Sequence, residues 1–300
     1  MMSRALPYLA LGAMGAGWGA TIPLTKVAVS TGHQQFGLIF WQLVIGAIVL
    51  GTIQLLRRRP FVVTARSIGL FAIIALVGTI LPNFASYTAA MNLPATLLAI
   101  LIATVPMFAF PIAILWGSDR FDWRRAIGLA VGIIAVVILV APDATLPDRT
   151  KVWFVPIALI APFFYGIEGN YISRFGTLHH GPIQTLFGAC LVGMVMTGPI
   201  AVVSGHWFVP WNNFGAPEWA MIGSGTLHGL SYATYVWLVA RSGAVFASQV
   251  AYAVTGFGVL WAILFLNEAQ SPYLWGALIC MMVGMSLVAP RKGTIDVDAD

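Results

Sequence analysis

Apolar residues run along this chain in blocks of about twenty, separated by short polar breaks, with no sustained alternation of apolar and polar positions. Ten blocks stand out, at 7–29, 34–56, 67–91, 95–117, 123–141, 152–174, 182–203, 218–240, 244–266 and 272–290. Each is near the ~20 residues that a helix needs to cross hydrocarbon. The ten-residue alternating strands of an outer-membrane barrel are missing. The pattern therefore predicts an all-α integral membrane protein of ten transmembrane helices, numbered 1 to 10 in chain order. The first block is too long for the core of a secretory signal and lacks a small-residue cleavage site, so it reads as helix 1.

Composition agrees: the chain is 59% hydrophobic and 8% charged, against about 25% charged in soluble domains. Charge then sets direction. With the N-terminus inside, twelve of the fifteen Lys and Arg residues fall on the cytoplasmic side, and only Lys26, Arg149 and Lys151 fall outside. The positive-inside rule thus predicts both termini in the cytoplasm. The long outer loop "SGHWFVPWNNFGAPEW" holds three tryptophans and reads as an interfacial aromatic belt. Cys190 and Cys280 both fall inside apolar blocks and read as free, buried thiols. The adjacent His179 and His180 have no third ligand at metal spacing. Neither a phosphate-binding glycine loop nor a nucleophile elbow is found, so no metal, cofactor or nucleic-acid partner is expected.

The chain also repeats itself. At an offset of 148, Ala85, Tyr87, Ala99, Ala103 and Gly128 meet Ala233, Tyr235, Ala247, Ala251 and Gly276, and "LVAP" at 139–142 recurs at 287–290. Lys26 meets Arg174 in the same register. Residues 7–142 and 152–290 thus form two units of five helices, followed by a cytoplasmic tail at 291–300. Five is odd, so the second unit enters the membrane from the opposite side. Inverted repeats of this kind are a mark of secondary transporters.

Polar groups at membrane depth face a bundle interior or a cavity. Helices 5 and 10 carry almost none; their small residues suit a packed scaffold or a homodimer seam. Stripes appear elsewhere: Thr79, Asn83 and Ser86 on helix 3; Tyr165 and Glu168 on helix 6; His228, Ser231, Tyr232 and Tyr235 on helix 8; Ser248, Tyr252 and Thr255 on helix 9. Together they predict a shared central cavity, although a single Ser or Thr can equally bond its own backbone. Pro23, Pro82, Pro106, Pro111, Pro156 and Pro162 can kink helices 1, 3, 4 and 6, as hinges or as packing features. Glu168 and His228 are the two titratable groups at depth and the candidates for proton coupling. Glu168 lies six residues before Arg174, roughly 9 Å along the helix, so an ion pair with Arg174 is the structural alternative.

The chain resembles the EamA-type branch of the drug/metabolite transporter superfamily over nearly its whole length. "GWGATIPLTKVAV", with Trp18, Gly19 and Lys26, is similar to the start of a unit, and "VLWAILFLNEAQSPYLWGALICMMVGMSLV", with Glu268 and Gly276, to its end. In the first half Asp119 and Arg120 replace the Gly-Glu of that ending. The resemblance implies a cavity lined mainly by helices 1, 3, 4, 6, 8 and 9, localisation in a bacterial inner membrane, and export of amino acids, other small metabolites or drugs. Trp18, Tyr87, Tyr165, Tyr232, Tyr235 and Tyr252 would give that cavity an aromatic wall suited to a partly apolar or cationic solute. The expected function is a secondary transporter of small amphipathic, amino-acid-like solutes, with no enzymatic activity and with the lipid bilayer and the solute as partners. A multidrug or cationic-compound exporter, or a membrane enzyme acting on lipid-linked groups, are the alternatives.

Overall fold

The structure, a computed structural model, describes residues 6–141, 148–212, 214–242, 250–268 and 271–288; the side chains of 236 and 239–242 lie outside that description. Ala247, Ser248, the second "LVAP" beyond Val288, the side chain of Arg241, and the tail with Arg291 and Lys292 therefore fall outside the described residues.

Within them the chain is helical, with no strand. The helices are α1 (Leu6–Ala28), α2 (Gln35–Arg57), α3 (Ala65–Asn92), α4 (Ala95–Leu115), α5 (Trp123–Val140), α6 (Arg149–Phe175), α7 (Pro182–Val203), α8 (Ala216–Ser242), α9 (Val250–Leu266) and α10 (Pro272–Val288). Six of these, α2 to α7, are long and apolar enough to cross a membrane, while α9 and α10 are apolar but shorter at 17 residues each. Glycine dilutes the apolar content of α1, and His228 with its hydroxyl neighbours does the same for α8. Local chemistry sets the ends. Thr64 and Ser67 form a capping box at the start of α3, and Asp122 accepts from the Arg125 amide at the start of α5.

Two of the helix-interior prolines coincide with departures from α geometry. Pro82 has no N–H for the carbonyl of Gly78, and the turn just before it, Leu76–Ile80, widens to a π-helix. Pro106 likewise deprives Ile102, and Ile102–Thr104 tightens to a 3-10 turn in which Thr104 Oγ1 donates to the Leu101 carbonyl at 2.7 Å. By contrast, α6 keeps its α-helical hydrogen-bonding class through Pro162.

Packing follows the repeat. α1 crosses onto α8 and α9, while its counterpart α6 crosses onto α3 and α4; α2 pairs with α7, α5 with α10, α4 with α9, and α3 on α7 mirrors α8 on α2. These main pairings are kept when each helix is exchanged for the one five places on. Buried side chains collect into one cluster among α2, α3, α7 and α8 and another among α4, α5, α6, α9 and α10. The small residues of α5 and α10 face each other within the chain: a side chain on Gly128 or Gly284 would strike the other helix's backbone. Their scaffold role is visible here, and large apolar residues such as Ile133, Ile134, Ile279 and Val283 are exposed on the outside of the pair.

Candidate functional site

Where α2, α3, α6 and α8 meet, the bundle is polar. Gln42 on α2 is the hub. Its Oε1 accepts from Asn83 Nδ2 at 2.9 Å and from Tyr87 Oη at 2.7 Å, and Asn83 Oδ1 in turn accepts from Tyr165 Oη at 3.4 Å. Beside this chain lies a cavity of about 30 Å³, whose walls include Gln42, Thr79, Asn83, Tyr165, Cys190 and His228. That volume suits ordered water and is too small for an amino-acid-sized solute, so the conformation is a closed one at this depth.

Glu168 approaches the same region from α6. The space for its carboxylate is made by Gly78, which sits in the π turn of α3: a Cβ there would collide with both carboxylate oxygens. Tyr165 and Tyr232 are its electrostatic neighbours. Among the described residues it has no hydrogen-bond or ion-pair partner. Arg174 does not supply one, because its guanidinium is given to the backbone carbonyl of Trp116 at the end of α4. The Glu168–Arg174 pair considered from sequence is therefore not formed.

The other predicted residues divide. His228 lines the cavity, and its ring lies 6.1 Å from that of Trp18, which is 5.9 Å from Tyr235. The indole Nε1 of Trp18 is buried without a partner among the described residues. Ser231 is buried against Gly17 of α1, where a Cβ would come within 2.8 Å of its Oγ, so it belongs to the α1–α8 seam and not to the cavity wall. Tyr252 joins the apolar cluster of α4, α5, α6, α9 and α10, near Arg124, and stands apart from the polar core. Thr255 donates to its own helix at Ala251 O, 3.0 Å. The rotation of α9 explains both: Gly258 is its contact with Gly19 of α1 and Ala99 of α4, and this turns the stripe away.

A second polar constellation lies at the α3–α4 turn. Lys26 Nζ donates to the carbonyls of Ala90 (2.6 Å) and Leu93 (2.9 Å) at the end of α3. Glu268 accepts from the amides of Ala95 (2.6 Å) and Thr96 (2.8 Å) and from Thr96 Oγ1 (2.8 Å), which caps α4. Each charge meets the helix end of opposite partial charge. Nearby, His33 and Glu218 pair at 2.6 Å, with Glu218 also holding the Gly215 amide. The loop before α8 lies over α2, with Trp41 Nε1 on the Phe208 carbonyl at 3.0 Å and Trp207 and Trp211 against Trp41. Both remain partly exposed, as an aromatic belt requires. Of the paired histidines, His180 is tucked against Phe61 and Phe71 while His179 is exposed.

A model described as the EamA-like transporter family matches the chain twice, at residues 6–141 and 152–289. The chain belongs to the EamA-like transporter family. It is thus a multi-pass membrane transporter with small-molecule solutes and the bilayer as partners. No significant match is found among curated proteins. A solved structure described only as "Crystal structure of protein" is similar over 95% of this chain and 96% of that one, at 16% identity and a TM-score of 0.65. That likeness concerns the fold.

In this EamA-like chain the polar core differs from the lining expected from sequence. α2 and α7 contribute Gln42, Leu186 and Cys190 to the cavity, while none of α1, α4 and α9 lines it, and Trp18, Tyr87, Tyr232 and Tyr235 are not among its walls. Gln42 has no polar neighbour three or four residues away, so it forms no stripe; a lone amide at mid-block, seven residues from Gln35, is the signal the sequence offers. Asn170 was passed over too. Its Nδ2 donates to Ala109 O at 2.9 Å and ties α6 to α4.

Proposed function

We propose that this chain is a secondary transporter that moves small amphipathic, amino-acid-like solutes out of the cell by alternating access. Its two units, 7–142 and 152–290, are read as inverted five-helix repeats making ten membrane crossings, with both termini and the 291–300 tail in the cytoplasm of a bacterial inner membrane. A homodimer would use the exposed apolar faces of α5 and α10.

The observation that carries this reading is the carboxylate of Glu168, held at membrane depth without a cationic partner among the described residues, near Tyr165 and Tyr232 and beside a cavity that Tyr165 and His228 help to line. A charge left in that setting is costly unless a ligand or proton meets it. The π turn and Gly78 support the same reading, since widened turns mark places where a helix is deformed for function. An ammonium group fits the carboxylate, and the tyrosine and tryptophan faces fit an apolar or cationic remainder. Glu168, with His228 across the cavity, is also where a proton would be exchanged.

Purified protein in liposomes tests this directly. Saturable flux of an amino-acid-like amine is expected, faster when a pH gradient is imposed. Flux that is indifferent to the gradient and equal in Glu168→Gln and His228→Ala would overturn the coupling. Saturable flux confined to bulky organic cations would favour the multidrug reading.

A further inference from the structure

Lys26 and Arg174 occupy the same place in the two units, at the ends of α1 and α6, yet they are bound differently. Lys26 holds the end of α3, which belongs to its own unit, through the carbonyls of Ala90 and Leu93. Arg174 holds the end of α4, in the other unit, through the carbonyl of Trp116. Carried across the offset of 148, the acceptors of Lys26 become the carbonyls of Leu238 and Arg241 on α8, and the acceptor of Arg174 becomes that of Leu264 on α9. Two equivalent cations thus show two alternative docking places.

We infer that Lys26 and Arg174 are reciprocal latches: each moves between a same-unit helix end and an opposite-unit helix end as the transporter switches sides. This rests on the alternating-access reading above. Inverted repeats switch sides by exchanging conformations, so the arrangement seen at one end is the one the other end adopts next. In this structure the outer end is latched, with Lys26 on α3. In the exchanged state Arg174 lies on Leu238 and Arg241, and Lys26 on Leu264.

Independent geometry supports the movement. A cavity of about 280 Å³ adjoins Lys26, bounded by Val29, Ala90, Met91 and Leu266. It lies between the present acceptors of Lys26 and the last turn of α9, where the alternative acceptor is found. The Lys side chain has room to swing without disturbing the core. Glu268 fixes α4 beside the latch in its present position. Its counterpart at the inner end is Arg120, a cation, and the neighbouring Asp119 is committed to Arg125. An anionic helix cap therefore reinforces the outer latch, and the inner latch has no such reinforcement from the matching position.

The signs of two substitutions follow from counting bonds. Lys26 makes two hydrogen bonds in the present state and one in the exchanged state, so Lys26→Met weakens the outward-closed state more. Arg174 makes one now and two after exchange, so Arg174→Met has the opposite effect. Cys190 reports the state without solute, because it lines the central cavity. In right-side-out vesicles carrying Cys280→Ala, an impermeant maleimide reaches Cys190 from outside only when the outer end opens. Lys26→Met should raise the labelling rate about tenfold, and Arg174→Met should lower it about tenfold, the population shift from one charge-assisted hydrogen bond. The double variant should return towards the parent rate, and Lys26→Arg should keep it, since a guanidinium can reach the same two carbonyls.

A structural role alone would move both single variants in the same direction, and that result, or unchanged labelling in both, would overturn the inference. Opposite shifts without saturable flux of any solute would leave the latch standing and remove the transport reading. Flux that survives in a protein whose labelling ignores both substitutions would do the reverse.

Discussion

α1 and α6 stand at the same place in the two units and cross the opposite unit in the same way, but they are built from different chemistry. α1 is a glycine seam: Gly15 meets Ala253, Gly17 meets Ser231 and Gly19 meets Gly258 at distances where no side chain fits. Its tie to α9 is Trp261 Nε1 on the Ala16 carbonyl, 3.0 Å. α6 instead presents Tyr165, Glu168 and Asn170 to α3 and α4, and Asn170 bonds the Ala109 carbonyl. The residue of α1 that matches Glu168 is Ala20. The fold thus requires a close crossing at this position but not a carboxylate. The proposed function assigns the Glu168 carboxylate of α6 to the solute or proton, while Asn170 and the glycines of α1 serve the joints.

Substitutions should separate these roles. The largest effect is expected from Glu168→Gln, which keeps shape and removes charge. Solute flux in liposomes should fall on the order of a hundredfold, as for a desolvated charge-assisted contact worth about 3 kcal/mol. Thermal unfolding in detergent should hardly move, because no protein partner is lost. Retained flux would place Glu168 with the passengers.

On the α1 side the order is reversed. In Gly19→Leu the new side chain meets the Gly258 amide nitrogen, only 2.8 Å from where a Cβ would lie. Helix backbones cannot yield as a side-chain tip does, so a loss of about 3 kcal/mol in stability is expected. It should be read as a lower unfolding midpoint, with flux failing only as folded protein is lost. An unchanged midpoint would mean that α1 and α9 are not pressed together.

Gln42→Leu comes next. It strips the acceptor from the buried Tyr87 hydroxyl and from the Asn83 amide, and orphaned buried donors cost about 2 kcal/mol together with the lost bonds. Both midpoint and flux should fall, which marks α2 as part of the site. A loss of stability with normal kinetics would restrict Gln42 to a structural duty.

These residues show how far the sequence could be read. Block length was enough to expect apolar membrane helices, six of which are long and apolar enough to cross, because hydrocarbon thickness and backbone satisfaction leave few choices. The repeat register predicted which helices are equivalent, and their packing follows it. The cavity wall was harder. Stripes identify a polar face, but which way that face turns depends on contacts such as Gly258 on Gly19, which lie far apart in the chain. Tyr252 and Ser231 were placed in the wall for that reason, and Gln42 was omitted because one amide makes no stripe. Lys26 and Glu268 stood out as family-like positions, yet their acceptors, the carbonyls of Ala90 and Leu93 and the amides of Ala95 and Thr96, are backbone groups that no side-chain pattern reveals.

The smallest expected change in stability belongs to Trp18, and it is the most discriminating. Trp261 spends its indole N–H on the Ala16 carbonyl, so Trp261→Phe should cost about 1 kcal/mol in the unfolding midpoint. Trp18 has a buried indole N–H with no acceptor among the described residues, between the rings of His228 and Tyr235. Trp18→Phe forfeits no hydrogen bond among them, so the midpoint should shift by less than about 0.5 kcal/mol, either way. A donor kept buried and unanswered is worth keeping only if something else answers it. If the solute does, Trp18→Phe lowers its affinity several-fold at unchanged stability, and α1 contributes one polar group to the site in addition to its joint. Unchanged affinity would return Trp18 to the packing face, and α6 would then be the only crossing helix that touches the solute.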